Sequence, residues 1–119
     1  MEIRTIKTEN YSYTFVNQTR SDRYGFTHVS TIMLNDNEIG EGRQRWVNRT
    51  WEYFRYQTSM QNAIENLIDD RKDVITRRFK YENGVSRLTA KRREELEKLF
   101  AEDFLIKEYN SVLKQLERA

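Results

Sequence analysis

The hydrophobic period of this chain changes once, near residue 50, and that change limits the folds open to it. Before it, Tyr11, Tyr13 and Phe15 alternate with Ser12 and Thr14, the period-2 pattern of a half-buried strand. Thr19 to Arg23 is polar and reads as a turn. Tyr24 to Leu34 (YGFTHVSTIML) is rich in aromatic and β-branched residues and reads as a second strand. Asn35-Asp36-Asn37 signals a tight turn, because Asn and Asp tolerate the left-handed region and bond their own backbone. A third strand, Glu38 to Arg49, then pairs back, and Gly40 and Gly42 within it suggest a bulge or bend.

After residue 50 the period is helical. Thr50 is the expected N-cap. Phe54, Met60, Ala63, Ile64, Leu67 and Ile68 fall on one face. The charged run Asp69-Asp70-Arg71-Lys72 interrupts that stripe, while Val74, Ile75 and Phe79 keep nearly the same phase. One helix to about Tyr81 and two helices divided near Asp69 both fit. Asn83-Gly84 is a stop, with Gly84 in the C′ position. Thr89 is the expected N-cap of a last helix, unbroken from Ala90 to Arg118, whose stripe is Leu96, Leu99, Phe100, Phe104, Tyr109, Val112, Leu113 and Leu116. The expected fold is α+β: a three-stranded antiparallel meander over about 10–49, then two or three helices over about 50–118, packed on one sheet face. At 119 residues this is one domain.

Composition narrows the chemistry. The absence of Cys removes disulfides, thiolate nucleophiles and Cys-based metal sites. No Pro and only four Gly argue against a disordered linker. MEIRTIKTENYSY has no basic segment followed by an apolar run, so no signal peptide is expected. No stretch approaches the roughly 20 apolar residues of a membrane span. The expected location is the cytoplasm, and the sequons at Asn10, Asn17 and Asn48 read as coincidental. Net charge is +2, unevenly spread: residues 1–70 carry −2, residues 71–93 carry +7 and residues 94–119 carry −3. Such asymmetry steers partners.

The densest binding chemistry lies at the strand-to-helix junction, RQRWVNRTWEYFRY. It packs Arg43, Arg45, Arg49 and Arg55 with Trp46, Trp51, Tyr53, Phe54 and Tyr56. Arg, Trp and Tyr dominate binding hot spots, and Arg makes planar bidentate contacts. Strand alternation places Arg43, Arg45, Val47 and Arg49 on one face and Gln44, Trp46 and Asn48 on the other. The plainer reading makes the aromatics core and the arginines solvated. A second candidate is the basic segment with Arg71, Lys72, Arg77, Arg78, Lys80, Arg87, Lys91, Arg92 and Arg93, placed to share a surface with the first. It suits DNA, guide RNA or an acidic protein. Its plainer reading is a charged helix face, partly neutralised by Glu95 and Glu97. A third candidate is an acidic face of Glu94, Glu95, Glu97, Glu102, Asp103 and Glu108, for which a solvated helix face is the plainer reading. His28, the only histidine, reads as a sheet residue. Asp69, Asp70 and Asp73 have the oxygen ligands Mg²⁺ takes, but three acids beside Arg71 and Lys72 on one helix are weak evidence for a site. No catalytic, cofactor or metal constellation is expected.

The stretch YGFTHVSTIMLNDNEIGEGRQRWVNRTWEYFRYQTSMQNAIENLI resembles small accessory proteins of bacteriophages and mobile elements of Gram-positive bacteria. The resemblance is carried by LNDNEIG and by RWVNRTWEYFRYQTSMQNAI and covers about residues 11–68. It implies a role in phage–host conflict, as for anti-CRISPR inhibitors that bind an RNA-guided nuclease. It carries no residue roles. The expected function is stoichiometric inhibition of a host defence nuclease, a type II CRISPR effector or its guide-RNA complex. Arg43, Arg45, Arg49, Arg55 and Trp46 are the first contacts and Arg77, Arg78, Arg92 and Arg93 the second. The alternatives are a nucleic-acid-binding accessory protein and a homo-oligomeric module, such as a homodimer joined through the C-terminal stripe.

Overall fold

Two left-handed residues close the last hairpin of the sheet. In the computed structural model, which describes residues 1–46 and 56–118 (for Trp46, the backbone alone), Asn35 and Asp36 have φ of 51° and 64°. That is the geometry of a type I′ turn, whose twist matches that of the strands it joins. It connects β3 (Gly25–Leu34) to β4 (Asn37–Trp46). Two strands precede them, β1 (Glu2–Lys7) and β2 (Ser12–Asp22). All four pair antiparallel in the order β1-β2-β3-β4.

The α+β class and the meander are as expected, but the sheet has four strands. In β1, EIRTIK, Ile3 and Ile6 are three apart and so fall on opposite faces; only Ile6 is buried. Without an apolar alternation the strand has no period-2 signal, and pairing with β2 creates it. The segment expected as a turn, Thr19 to Arg23, is strand as far as Asp22. Its side chains are exposed, so it shows no pattern, yet its backbone is held in register from Thr19↔His28 to Asp22↔Gly25. The turn is the two residues Arg23 and Tyr24, and Asp22 Oδ1 accepts the Tyr24 N–H at 2.8 Å. The bulge expected near Gly40 is present. Ile32 pairs Gly40 and Met33 pairs Glu38, leaving Ile39 extra.

Helix α1 (Gln57–Asn83) is unbroken across Asp69–Lys72. It follows Tyr56, whose φ of 62° is held by a hydrogen bond of 2.7 Å between its hydroxyl and that of Thr19 and by packing on His28. The expected cap at Thr50, together with Phe54, lies outside the described residues. Gly84 ends α1 at φ 62°, with its N–H to Tyr81 O and the Val85 N–H to Lys80 O, a Schellman closure. Thr89 caps α2 (Ala90–Glu102), its hydroxyl accepting the Arg92 N–H. The last helix, expected unbroken, stops at Asp103 (ψ 129°), which caps a separate α3 (Phe104–Glu117). No helix among the described residues is long and apolar enough to cross a membrane.

The core lies between the sheet and α1 and α3. Ile6, Tyr13, Phe15 and Ile32 from the sheet meet Met60, Ala63, Ile64, Leu67 and Ile68 from α1 and Tyr109, Val112 and Leu116 from α3. Each Ile, Leu, Val, Met or Phe among them contributes about 1.5–3 kcal/mol when fully buried. Helix α1 runs antiparallel along β4, with Ser59 and Ala63 over Gly42 and Leu67 over Gly40. A Cβ on Gly42 would overlap the Ala63 N and Ser59 O backbone atoms, so no other residue fits there without moving the helix. The Asn62 and Asn66 amides donate to Arg43 O (2.9 Å) and Glu41 O (3.0 Å), covering the β4 edge. Beyond Ile68, α1 meets α2 and the α2–α3 turn through Arg71 on Asp103, Lys72 over the Phe100 ring and Asn83 on Arg92.

Candidate partner-binding surfaces

Gly42 faces α1, so its strand neighbours face away from it. Arg43 and Arg45 lie on the sheet face turned away from α1, in register with Val29 and Thr27. Both arginines carry an acid. Arg45 Nη1 and Nη2 reach the two Asp22 oxygens at 2.8 and 3.2 Å, and Nη1 also reaches Thr27 Oγ1 at 3.3 Å. The bond to Arg45 lowers the Asp22 pKa, and the same bond raises that of Arg45. Arg43 Nε donates to Glu41 Oε1 at 2.9 Å. Exposed pairs of this kind stabilise little; Arg45 turns both of its Nη groups to Asp22, whereas Arg43 engages Glu41 through Nε. Arg49, Arg55 and the aromatics Trp51, Tyr53 and Phe54 lie outside the described residues, as does the Trp46 side chain. Tyr56 is core.

The helical end of the molecule presents a different surface. A groove of about 280 Å³ runs between α1 and α2, with Val74, Ile75, Phe79 and Leu99 as its apolar lining and Arg71, Arg78, Glu82 and Asp103 at its rim. Val74 is 46% and Leu99 42% exposed, although both belong to the apolar stripes of their helices. They line the groove between α1 and α2, where the two helices leave a gap. Arg78 is exposed beside Glu82 (3.1 Å), and Arg77 is exposed with Nε on Asp73 O at 3.4 Å. Arg93 is exposed. Arg92 has a different job: its Nη1 donates to Asn83 Oδ1 at 2.8 Å and to Glu95 Oε2 at 3.3 Å, tying the start of α2 to the end of α1. Arg43 and Arg45 face away from the helices and so share no surface with Arg77, Arg78, Arg92 and Arg93, while Arg49 and Arg55, the other half of the first cluster, lie outside the described residues.

Two polar clusters had no sequence signal. Arg71 Nε and Nη2 donate to Asp103 Oδ2 (3.1 Å) and Oδ1 (2.8 Å). The bond to Arg71 outweighs burial and holds the Asp103 carboxyl below its ordinary range. Glu108, 6% exposed, accepts from Thr8 Oγ1 (2.6 Å), Asn10 Nδ2 (3.1 Å) and the Tyr13 hydroxyl (3.1 Å). Burial pushes the Glu108 pKa up, but the bonds from Thr8, Asn10 and Tyr13 together bring it below the ordinary value. Burial, then the Glu108 charge, pushes the Tyr13 hydroxyl far up. Asp103 and Glu108 therefore do not belong to an acidic face. Their partners are 32 and about 100 residues away in sequence, which no local pattern encodes.

His28 is 2% exposed and packs against Tyr56 with ring centroids 4.5 Å apart, a sheet residue as expected. Among the described residues no group of three or more His, Cys, Asp or Glu is placed to hold a metal ion. Comparison with protein-family models, with curated proteins and with solved structures finds no match to this chain.

Proposed function

We propose that this protein is a non-catalytic binder that acts stoichiometrically on a macromolecular partner, and that the partner is a host RNA-guided nuclease or its guide-RNA complex. The observation that carries the binding reading is the α1–α2 groove, where Val74 and Leu99 stay exposed beside Arg71 and Arg78. An apolar centre with a charged rim is the anatomy of a protein-docking patch, and here Val74, Ile75, Phe79 and Leu99 form the centre and Arg71, Arg78, Glu82 and Asp103 the rim. The nuclease reading rests on the resemblance of residues 11–68 to phage and mobile-element accessory proteins. An RNA-guided nuclease must bind a PAM duplex and hold a heteroduplex in a basic channel, and a protein seated near either site blocks cleavage without chemistry of its own. The test is a DNA-cleavage assay with purified type II nucleases, the protein added before or after guide loading. Inhibition that saturates near one equivalent supports the proposal, and order of addition identifies the step. Unchanged cleavage across several such nucleases counts against it.

A second reading has its own observation. Arg77, Arg78, Arg87, Lys91 and Arg93 are all exposed within residues 71–93, which carry a net +7. That surface suits a nucleic-acid backbone. Direct DNA or RNA binding then weakens steeply with salt, in proportion to the phosphates contacted.

A further inference from the structure

The two edges of the sheet are finished differently. On β4 the outward carbonyls of Glu41 and Arg43 are taken by Asn66 and Asn62. On β1 only one outward group is taken, the Lys7 carbonyl, which accepts from Gln115 Nε2 at 2.9 Å. The β1–β2 hairpin closes with the Thr8 N–H on Tyr11 O. In an antiparallel ladder hydrogen-bonded and non-bonded pairs alternate, so Glu2, Arg4 and Ile6 bond to β2 while Ile3, Thr5 and Lys7 turn their backbone outward. The N–H and C=O groups of Ile3 and Thr5 have no partner among the described residues. The Ile3 side chain is 63% exposed, and neither Glu2 nor Arg4 has an ion-pair partner among the described residues. An open edge of this kind is a template for another strand.

We infer that β1 pairs antiparallel with β1 of a second copy of this chain, across a two-fold axis at Ile3, to make one continuous sheet of twice four strands. Charge selects that register from the three that the outward groups permit. With the axis at Ile3, Glu2 of each copy stands directly opposite Arg4 of the other, twice per dimer, and Ile3 meets Ile3 on the sheet face turned away from α1, beside its cross-strand neighbour Val16. With the axis at Arg4, that arginine would face itself. With the axis at Thr5, pairing would need the Lys7 backbone, which Gln115 occupies. A two-fold interface of this type is self-complementary by construction.

Sedimentation equilibrium of the full chain over a rising concentration series tests the inference. The wild-type protein dimerises. Glu2→Arg places arginine opposite arginine, Arg4→Glu places glutamate opposite glutamate, and each raises the dimer dissociation constant roughly tenfold or more. Mixing the two single variants in equal amounts restores association as a heterodimer, because each then meets its opposite charge; so does the double swap E2R/R4E. Circular dichroism confirms that each variant is folded. A wild-type protein monomeric throughout the series, or a dimer equally stable in both single variants, would overturn the inference.

Discussion

Arg71 and Asp103 meet in a two-bond ion pair, Nε to Oδ2 at 3.1 Å and Nη2 to Oδ1 at 2.8 Å, while Asp103 Oδ2 also accepts the Ile106 N–H at 3.1 Å. One carboxylate thus caps α3 and fastens it to α1. The turn from α2 to α3 is placed by this pair, and with it the wall of the groove that holds Leu99. Asp103→Ala removes the cap and leaves a half-buried guanidinium without its partner. The expected cost is about 2 kcal/mol, read as a lower midpoint in urea, with Asp103→Asn losing less because it can still cap.

Acid should weaken the fold through two carboxyls. Asp103, held down by Arg71, and Glu108, held down by its three donors against the pull of burial, both have folded pKa values below their ordinary ones. The folded protein therefore binds protons less readily than the unfolded chain. Their stabilisation is complete above the ordinary values, 3.8 for Asp and 4.5 for Glu, and is lost as pH falls through the lower folded values. Unfolding midpoints measured from pH 7 to pH 3 should fall most steeply below about 4.5, and Glu108→Gln and Asp103→Asn should each flatten the decline. A decline unchanged in both variants would contradict the assignment.

Gly42→Ala should be among the most damaging single substitutions. Its Cβ would overlap backbone atoms of Ser59 and Ala63, which cannot step aside as a side chain can. A loss of about 3 kcal/mol is expected from overpacking at this point. Gly40→Ala should cost less, because the obstacle is the flexible Leu67 side chain at 2.7 Å. Thermal melts of the two variants check the order.

What was legible in the sequence follows from range. Local chemistry was plain: the Asn35-Asp36 turn, the Gly84 stop, the Thr89 cap and the α1 stripe of Met60, Ala63, Ile64, Leu67 and Ile68 are each decided within a few residues. Strand β1 was not, because Ile3 and Ile6 lie on opposite faces and only pairing with β2 makes EIRTIK a strand. The break at Asp103 was not, because the residue that anchors it, Arg71, is 32 positions earlier. The arginine row was placed correctly on one face as far as Arg43 and Arg45, but its acids, Asp22 and Glu41, come from pairing and could not be weighed from the row alone.

Charging the groove should separate binding from folding. Val74 and Leu99 are already partly exposed, so V74D/L99D should leave the far-ultraviolet spectrum unchanged and cost less than about 1 kcal/mol in stability. Two charges set into the apolar centre of the patch would be desolvated without a partner, which should weaken partner binding by about 2 kcal/mol or more, roughly 30-fold in Kd. Arg43→Ala with Arg45→Ala should weaken it less, since both lie on the sheet face turned away from α1 and the groove.

The most direct measurement is a titration of a guide-loaded type II nuclease, held well above the expected Kd, with wild-type protein and with V74D/L99D in parallel. The account predicts that wild-type protein abolishes cleavage linearly to an end point near one equivalent, and that the groove variant has little effect at that ratio. No inhibition by the wild type, inhibition complete at a small fraction of an equivalent as for a catalyst, or equal inhibition by the variant would contradict it.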